Sequence, residues 1–220
     1  MKKLLFNIQL IIFILFLFCF VILKYTEASS QELTENRIDT CCTWGKELKD
    51  SVLTYSIKQY GSYHNNNSNN FEEIVNFAFS EWENNLTNIH FKIVKDSESK
   101  ADIEIILEDE SIEQVGGEAI IYFNKKGFID NVDISVSKSS NGIELNKNFI
   151  EHIVKHEIGH ALGLGHSQFP NSLMSPIINE TVKQISACEL NAVKDANEWK
   201  FINNDKKPKM IKQSVYVCLN

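Results

Sequence analysis

Eleven residues decide the fold of this chain: His156-Glu157-Ile158-Gly159-His160-Ala161-Leu162-Gly163-Leu164-Gly165-His166. Residues four apart on a helix lie on one face, so His156 and His160 can direct their imidazoles at one metal ion. Glu157 would lie beside that ion but outside its ligand set, in the position of a general base. Glycine adopts the left-handed conformation without a Cβ penalty, so Gly163 lets the chain leave the helix and return His166 as a third ligand.

Chance is the alternative explanation of this motif. H-E-x-x-H alone does occur by chance, but the added glycine and third histidine make a coincidence rare. The residues before the motif also carry an apolar stripe at helical spacing: Phe149, Ile150, Ile153 and Val154. We therefore predict an active-site helix from about Asn146 to Leu164, and one zinc ion held by His156, His160 and His166. Three protein ligands leave a tetrahedral zinc ion one open position, which is typical of a catalytic site.

Residues 1–30 have the layout of an export signal. Lys2 and Lys3 precede a nearly continuous apolar run from Leu10 to Leu23, and small residues follow at 28–30. Counted from residue 4, the apolar stretch is also long enough to span a bilayer, so an uncleaved anchor through residues 4–23 stays open. Both alternatives predict a protein outside the cytoplasm, either secreted or anchored to the outer face of the membrane.

The length of 220 residues allows one domain with a sizeable core, and hardly two. We assign residues 1–30 to the signal peptide or anchor, 31–42 to an N-terminal segment, 43–202 to the catalytic domain and 203–220 to a basic C-terminal tail. For the tail, which ends in a short β-like run, we expect a solvated extension pinned by Cys218.

The acidic charge limits the partners. Residues 1–30 hold three lysines and one glutamate, so the remainder has 19 basic and 28 acidic residues and a net charge of −9. That charge disfavours nucleic acid and anionic membrane surfaces as partners. We expect no nucleic-acid partner and a monomeric protein.

Four cysteines follow the export segment: Cys41, Cys42, Cys188 and Cys218. An even number in an exported chain predicts two disulfides, for which three pairings exist. Cys41 and Cys42 are adjacent and poorly suited to pair with each other, so we expect each to bridge to Cys188 or Cys218. Such bridges would tie the N-terminal segment to the last helix and the tail.

The rest of the sequence contains both strand and helix patterns. Runs of β-forming or alternating residues predict strands at 52–57, 90–94, 101–107, 119–124 and 132–136. An apolar stripe predicts a helix over Phe71–Leu86, and a last helix is predicted from about Val182 to Trp199. An acidic loop is predicted from Glu108 to Gly117. This order predicts an α+β domain, in which helices back a twisted sheet.

The zinc motif together with Met174, in Ser172-Leu173-Met174-Ser175-Pro176, resembles the metzincin metallopeptidases. Ser167, directly after the third histidine, is similar to the matrixin branch, the matrix metalloproteinase-like family. Further matrixin-like landmarks occur in order over about residues 43 to 200: Trp44, Leu53-Thr54-Tyr55-Ser56-Ile57, Phe79-Ser80-Glu81-Trp82, Phe91 and Ala101-Asp102-Ile103. The resemblance implies a minimal catalytic domain with a mixed, twisted five-stranded sheet, an active-site helix, a methionine turn (Met-turn) as an apolar floor under the metal, and a C-terminal helix.

The resemblance also implies an activity and a substrate site. A zinc ion held by three neutral histidines brings the pKa of its water to roughly 7, and Glu157 would accept that water's proton. The expected reaction is hydrolysis of peptide bonds in extended protein or peptide substrates. The substrate would bind along the strand edge at Ala119, Ile120 and Ile121. Past the Met-turn, the wall of a pocket for an apolar residue would consist of Pro176, Ile177 and Ile178.

The chain departs from matrixins in its other metal ligands. Matrixins carry histidines and aspartates for a second zinc and for calcium between the third and fourth strands, and no histidine of this chain lies there. We therefore expect no structural zinc. A solvated acidic loop is favoured over a calcium site, whose candidate ligands would be Glu108, Asp109, Glu110, Glu113 and Glu118.

The cysteines are a second departure. Where matrixins carry acids near the start of the last helix, this chain has Cys188-Glu189. In the family that region meets the N-terminal segment, so the resemblance favours a disulfide from Cys41 or Cys42 to Cys188. A thiolate of Cys41 or Cys42 that caps the zinc ion is the lesser alternative, and the propeptide switch sequence of matrixins does not occur.

Two other functions fit parts of the pattern. The alternative function is a non-catalytic zinc-binding adhesion or interaction module on a metzincin fold. A peptidase that has lost its activity usually lacks a metal ligand or the glutamate, whereas this chain has all three histidines and Glu157. An aminopeptidase of the archaemetzincin type shares the long motif and adds a four-cysteine zinc site downstream. Here only Cys188 lies within 50 residues after His166. The sequence therefore favours an exported zinc endopeptidase.

Overall fold

The computed structural model of the protein describes residues 36–44, 52–59, 68–87, 89–95, 100–110, 116–178, 184–197 and 214–218. Residues 1–30, which hold the predicted signal or anchor, lie outside the described residues. Within the described part of the chain, no helix is both long and apolar enough to cross a membrane.

The described strands and helices follow one another in mixed order. In chain order they are β1 (Arg37–Thr40), β2 (Val52–Gln59), α1 (Ser68–Asn85), β3 (His90–Ile93), β4 (Ile103–Glu110), β5 (Gly117–Phe123), β6 (Ile129–Ser140), β7 (Ile143–Glu144), α2 (Lys147–Ala161), β8 (Leu164–Ser167), α3 (Ala187–Ala196) and β9 (Ser214–Val217).

A mixed sheet forms the main layer of the fold. Its strands stand in the order β3-β2-β4-β6-β5, and β7 pairs with β6 as a short hairpin. The first four strands in this order are parallel, whereas β5 runs antiparallel to β6 and lies at the edge. This mixed sheet with its helices confirms the predicted α+β fold class. The predicted start of the acidic loop at Glu108 is wrong, because β4 continues to Glu110.

Helices α1 and α2 cover one face of the sheet. The apolar stripe of α1 is buried, with side-chain exposures of at most 3% at Ile74, Val75, Ala78 and Trp82. The two helices pack together, and the indole N–H of Trp82 donates to the carbonyl of Lys155 on α2 at 3.1 Å. Sheet and helices share one hydrophobic core, which holds α2 in place.

A second sheet of three strands contains both ends of the domain. Its order is β8-β1-β9, with β1 in the centre and antiparallel to both neighbours. The solvated extension predicted for the tail is therefore wrong for Ser214–Val217, which pair with Arg37–Thr40. The β-like run at the end of the tail was recognised in the sequence, but its pairing with β1 was not, because the two strands are far apart along the chain.

The last helix begins later than predicted. Ser186 is the N-cap of α3, and its side chain accepts from the N–H of Cys188. Glu189 bonds back to the N–H of Ser186 and completes a capping box. The predicted start at Val182 is wrong because this Ser-x-x-Glu signal places the first helical residue at Ala187.

The predicted disulfide pairing is wrong. Cys188 pairs with Cys218, and Cys41 pairs with Cys42, so neither of the adjacent cysteines reaches the last helix. The reason is the pairing of β9 with β1, which brings Cys218 to the start of α3, with its Cα 5.3 Å from that of Cys188. The N–H of Cys218 also donates to the carbonyl of Asn36 at 2.8 Å. Among the cysteines that the structure describes, Cys41 and Cys42 are then left to pair with each other.

Peptide mapping under non-reducing conditions should recover one pair of peptides joined through Cys188 and Cys218. Cys41 and Cys42 should remain in one peptide that is lighter by two hydrogens than after reduction. Free thiols are blocked in acid before digestion, because this prevents disulfide exchange. A peptide pair that joins the Cys41-Cys42 segment to Cys188 or Cys218 would contradict this connectivity.

Candidate metal centre and catalytic cleft

Three histidines converge at the end of α2. His156 and His160 lie one turn apart on the helix, and their Nε2 atoms are 3.0 Å apart. His166 approaches from β8, and one ring nitrogen of each histidine lies within 4.8 Å of the others. Among the described residues, these are the side chains whose metal-ligating atoms converge in a group of three. The structure thus brings together the three ligands that the motif predicts.

Hydrogen bonds decide which ring nitrogens face the centre. The Nδ1–H of His156 donates to the carbonyl of Leu173 at 2.7 Å, and the Nδ1–H of His160 donates to that of Leu164 at 2.8 Å. Because a carbonyl oxygen only accepts, both rings carry their proton on Nδ1 and present a lone pair at Nε2. Two lone pairs 3.0 Å apart repel each other unless a cation lies between them.

The spacing of the nitrogens fits zinc. A tetrahedral zinc ion with Zn–N bonds of about 2.0–2.1 Å separates its ligand nitrogens by about 3.4 Å. The 3.0 Å between the Nε2 atoms of His156 and His160 is close to that value. The second bond of each ring, through Nδ1 to a backbone carbonyl, is the arrangement that orients histidine ligands in metal sites.

Burial keeps both helical histidines neutral. The pKa of His156 is lowered to about 3, mainly by desolvation and further by the charges of His160 and His166. The hydrogen bond to the carbonyl of Leu173 raises this pKa but does not outweigh the other effects. Desolvation likewise lowers the pKa of His160 to about 4. The neutral imidazole is the form that binds a metal ion, so neither ring has to lose a proton at neutral pH.

Gly163 takes the chain out of α2. Its φ is 95°, a region that L side chains rarely adopt, and a Cβ there would overlap the carbonyl oxygen of Cys42. The helix therefore ends at Ala161 rather than at Leu164 as predicted. The turn leads directly into β8, which carries His166 back to the other two histidines.

The C-terminal end of α2 is closed by partners from distant parts of the chain. The last carbonyls of a helix have no partner within it and need one elsewhere. Here the donors are the indole N–H of Trp44 for Ala161 at 2.9 Å, the side-chain amide of Asn197 for Leu162 at 2.8 Å and the N–H of Cys41 for Gly163 at 3.0 Å. Trp44 was expected only as a family landmark, and the role of Asn197 was not predicted, because it has no local signal.

The Met-turn lies against α2 between the histidines. Met174 is fully buried, and its sulfur packs so closely on Gly159 that a Cβ there would come within 2.5 Å. The carbonyl of Met174 accepts from the N–H of Ser167 at 2.8 Å, next to His166. The turn also supplies the carbonyl that orients His156. The Met-turn therefore orients His156 directly and also binds the residue that follows His166.

Glu189 fastens the Met-turn to α3. Its fully buried carboxylate accepts from the hydroxyl of Ser172 at 2.5 Å and from the N–H of Leu173 at 3.0 Å. It also accepts from both the N–H and the hydroxyl of Ser186. Charge-assisted bonds of this kind are the strong ones, and an unpaired carboxylate here would be very costly. Glu189 was noted in the sequence without a role, although the capping-box spacing could have identified the part of its role that lies within α3.

Glu157 lies beside the three histidines with 4% of its surface exposed. Burial raises the pKa of its carboxyl to about 8, and the charge of Glu118 adds to the shift. Strand β5 passes directly over it, because a Cβ at Gly117 would lie 2.9 Å from Oε1 of Glu157 and 2.5 Å from Cγ2 of Ile153. Only a glycine allows the strand this close approach.

A cleft of about 740 Å³ opens beside this group, between β5, α2 and the segment after the Met-turn. The predicted substrate residues that line it are Ala119, Ile121, Pro176 and Ile178. Ile120 and Ile177 lie outside the lining, with exposures of 46% and 77%. Ile120 points to the other face of the sheet because side chains alternate along a strand.

Several lining residues were not predicted as substrate contacts. They are Cys41, Gly116, Gly117, Leu145, Phe149 and Ile153, among others. Glycines at the start of a strand pattern are a signal for close backbone approach, and this signal could have identified two of them. Phe149 and Ile153 belong to the helical stripe, which predicts burial but not which buried residues border a cleft.

The site combines four features: a helix followed by a left-handed glycine, three converging histidines, a glutamate beside the first of them and a methionine turn. Together these features define a metzincin-type metallopeptidase site. The matrixin family model matches residues 43–197, more than half of the chain. The chain belongs to the matrixin family, whose members are zinc-dependent peptidases, and this confirms the resemblance drawn from the sequence. No curated protein matches the chain. Matrixins are typically extracellular, and the two disulfides fit that location.

Gly163→Ala should destabilise the metal-free protein more than Gly142→Ala. Both glycines have positive φ, 95° and 73°, so both variants acquire left-handed strain of about 1–2 kcal/mol. Only at Gly163 does the new Cβ meet backbone, which adds about 1–3 kcal/mol, whereas nothing lies within 4 Å at Gly142. Urea unfolding measures both losses. Equal losses would mean that Gly163 is needed for its φ alone.

The stability of the metal-free protein should fall as pH rises through the pKa of Glu157. This carboxyl titrates at 4.5 in the unfolded chain and at about 8 in the folded protein, so the folded state binds the extra proton between these values. Raising the pH through that window removes its contribution. The depressed pKa values of His156 and His160 act in the opposite sense, and only below about pH 6.5.

Measurements above about pH 6.5 therefore isolate the carboxyl. Thermal midpoints of the metal-free wild type should decline up to about pH 8 and then level off. Those of Glu157→Gln should lack this decline, because an amide does not titrate. Parallel curves for the two proteins would contradict the assignment of the raised pKa to Glu157.

Proposed function

We propose that this protein is an exported zinc-dependent endopeptidase that hydrolyses peptide bonds in extended protein or peptide substrates. Membership of the matrixin family implies a metalloprotease. The observation that carries the proposal for this chain is the pair of unprotonated Nε2 atoms 3.0 Å apart, with His166 beside them and a buried carboxyl bordering the same cleft.

His156, His160 and His166 would hold the zinc ion. When bound, zinc supplies a Lewis acid that acidifies a water molecule and polarises the peptide carbonyl. The carbonyls of Leu173 and Leu164 keep the two helical rings oriented for this task. Met174 would form the apolar floor of the site, since it is fully buried and packs on the helix between the two ligands.

Glu157 would move the proton. Its carboxylate would accept a proton from the attacking water and then deliver it to the nitrogen of the leaving amine. Two features support this role: the carboxyl lines the same cleft as the three histidines, and it lies directly after His156 on α2. Gly117 would help by leaving the carboxyl accessible beneath the strand.

The substrate would bind along β5 as an added strand. β5 is the edge strand of the sheet, and Ala119 and Ile121 on it line the cleft. An extended peptide could pair with this edge through backbone hydrogen bonds, to which Ile120 would contribute its backbone groups. This mode of binding needs no particular side chain and suits cleavage within a protein chain.

The residue after the cleaved bond would enter an apolar pocket. Pro176 and Ile178 line one side of the cleft, and Phe149 and Ile153 of α2 line another. A pocket bordered by these side chains favours an apolar substrate residue, because burying it removes apolar surface from water. Ile177, which is 77% exposed, contributes no wall to this pocket.

We infer that the protein acts outside the cytoplasm, secreted or held at the outer membrane face by residues 4–23. The support is the typical location of matrixins and the two disulfides, which persist in oxidising compartments. Zinc is the one cofactor proposed, and calcium at the acidic residues near 108–118 remains a lesser alternative.

Glu157→Gln should retain zinc and lose peptidase activity. The amide keeps the size of the side chain but cannot accept the proton, so kcat/KM should fall by about 10²- to 10⁴-fold. The assay follows cleavage of a denatured protein and of a quenched-peptide library, with zinc content measured in the same samples. A chelator should abolish the wild-type activity.

Glu144→Gln is the matched control, because Glu144 lies on the β7 hairpin and its side chain, which forms an ion pair with Lys138, is 68% exposed. It should cleave like wild type. Full activity of Glu157→Gln would contradict the role of the glutamate. If every protein binds zinc but none cleaves the substrates, a non-catalytic binding module is favoured. A strong preference for charged residues after the cleaved bond would contradict the apolar pocket.

A further inference from the structure

We propose that β1, β9 and the Cys188–Cys218 disulfide, together called the terminal clamp, set the affinity of the metal centre by fixing the position of His166. The inference rests on the zinc site proposed above and concerns residues that touch neither the metal nor the substrate. Their role is to position a ligand.

His166 is the ligand whose position depends most on its surroundings. His156 and His160 lie on a helix packed into the core, and each ring is oriented by a backbone carbonyl. His166 instead lies on the four-residue strand β8 and is exposed. Where its imidazole points is therefore decided by the backbone of β8.

β1 gives β8 an irregular register at the ligand. Ile38 pairs with Ser167 and Thr40 pairs with Leu164, so Asp39 alone stands opposite both Gly165 and His166. Two residues against one make a β-bulge, a feature that redirects side chains and is common beside active sites. The strands are in close contact here, since a Cβ on Gly165 would lie 2.8 Å from that of Asp39.

β9 holds β1 in place. The two strands pair over all four residues of each, and the hydroxyls of Thr40 and Ser214 are 2.6 Å apart. The pairing is extended by the bond from the N–H of Cys218 to the carbonyl of Asn36 at 2.8 Å. β9 thus adds a third strand to the pair formed by β1 and β8.

The disulfide connects the supports of two ligands. Cys218 directly follows β9, and Cys188 lies next to Glu189, which holds the Met-turn and thereby the carbonyl that orients His156. One route from the disulfide thus leads to His156 through α3 and the Met-turn. The other leads to His166 through β9, β1 and β8. The disulfide therefore fixes the position of α3 relative to β9, and so the supports of His156 relative to those of His166.

A purely structural role is the competing explanation. In that case, loss of the clamp would lower the free energy of unfolding but leave the folded protein with unchanged zinc affinity. A positioning role predicts a change in the folded protein itself, both in affinity and in the absorption spectrum of bound cobalt, which reports the ligand geometry of the same site.

The test uses the full chain with both cysteines replaced, Cys188→Ser/Cys218→Ser, and a second variant, Gly165→Ala. The second variant keeps the disulfide and introduces a Cβ where β8 contacts Asp39. Zinc dissociation constants are measured by competition with a chromophoric chelator at a temperature where each protein is folded. Both variants should bind zinc about 10- to 100-fold more weakly than wild type, the usual effect of removing support for a ligand.

Ile105→Val is the matched control for stability. Ile105 is fully buried on β4, in a strand that carries no residue of the metal centre, so the variant should unfold more easily but bind zinc like wild type. Unchanged zinc affinity and an unchanged cobalt spectrum in the folded Cys188→Ser/Cys218→Ser variant would overturn the inference, whereas Gly165→Ala shows how far a shift of β8 alone changes the affinity. Failure of the wild type to bind zinc would overturn the proposed function and the inference together.

Discussion

The structure depends on one electrostatic constraint: the Nε2 atoms of His156 and His160, neither of which carries a proton, lie 3.0 Å apart. Carbonyls behind His156 and His160 keep the protons on the far nitrogens, and burial prevents the rings from becoming charged. Alone, this arrangement is unfavourable, because neither nitrogen can donate to the other. A divalent cation between them turns the repulsion into attraction, and that is why such an arrangement indicates a metal site.

Much of the surrounding structure keeps that arrangement rigid. The carbonyls at the C-terminal end of α2 accept hydrogen bonds from Trp44, Asn197 and Cys41. Glu189 holds the Met-turn that orients His156. These contacts join residues that are far apart in the chain, so the site is assembled only when the domain is folded. The same contacts leave the cleft open on the side of β5, where a substrate strand could be added.

The sequence predicts those parts of the fold whose signals are local. Helical spacing and a glycine were enough to place the three histidines and the turn between them, and long apolar patterns identified the main sheet. The sheet formed by β8, β1 and β9 was missed because it depends on pairing between segments that are far apart along the chain. The pairing of Cys188 with Cys218 depends on that sheet and was predicted wrongly. Glu189 was missed because its partners in the Met-turn are distant in sequence.

X-ray absorption at the zinc edge of the purified protein tests the central claim most directly. Three histidines and a water predict a first shell of nitrogen and oxygen at about 2.0–2.1 Å, without sulfur. A sulfur neighbour at about 2.3 Å would contradict this ligand set. Such a neighbour would mean that a cysteine binds the metal, and Cys41 lines the same cleft as the histidines.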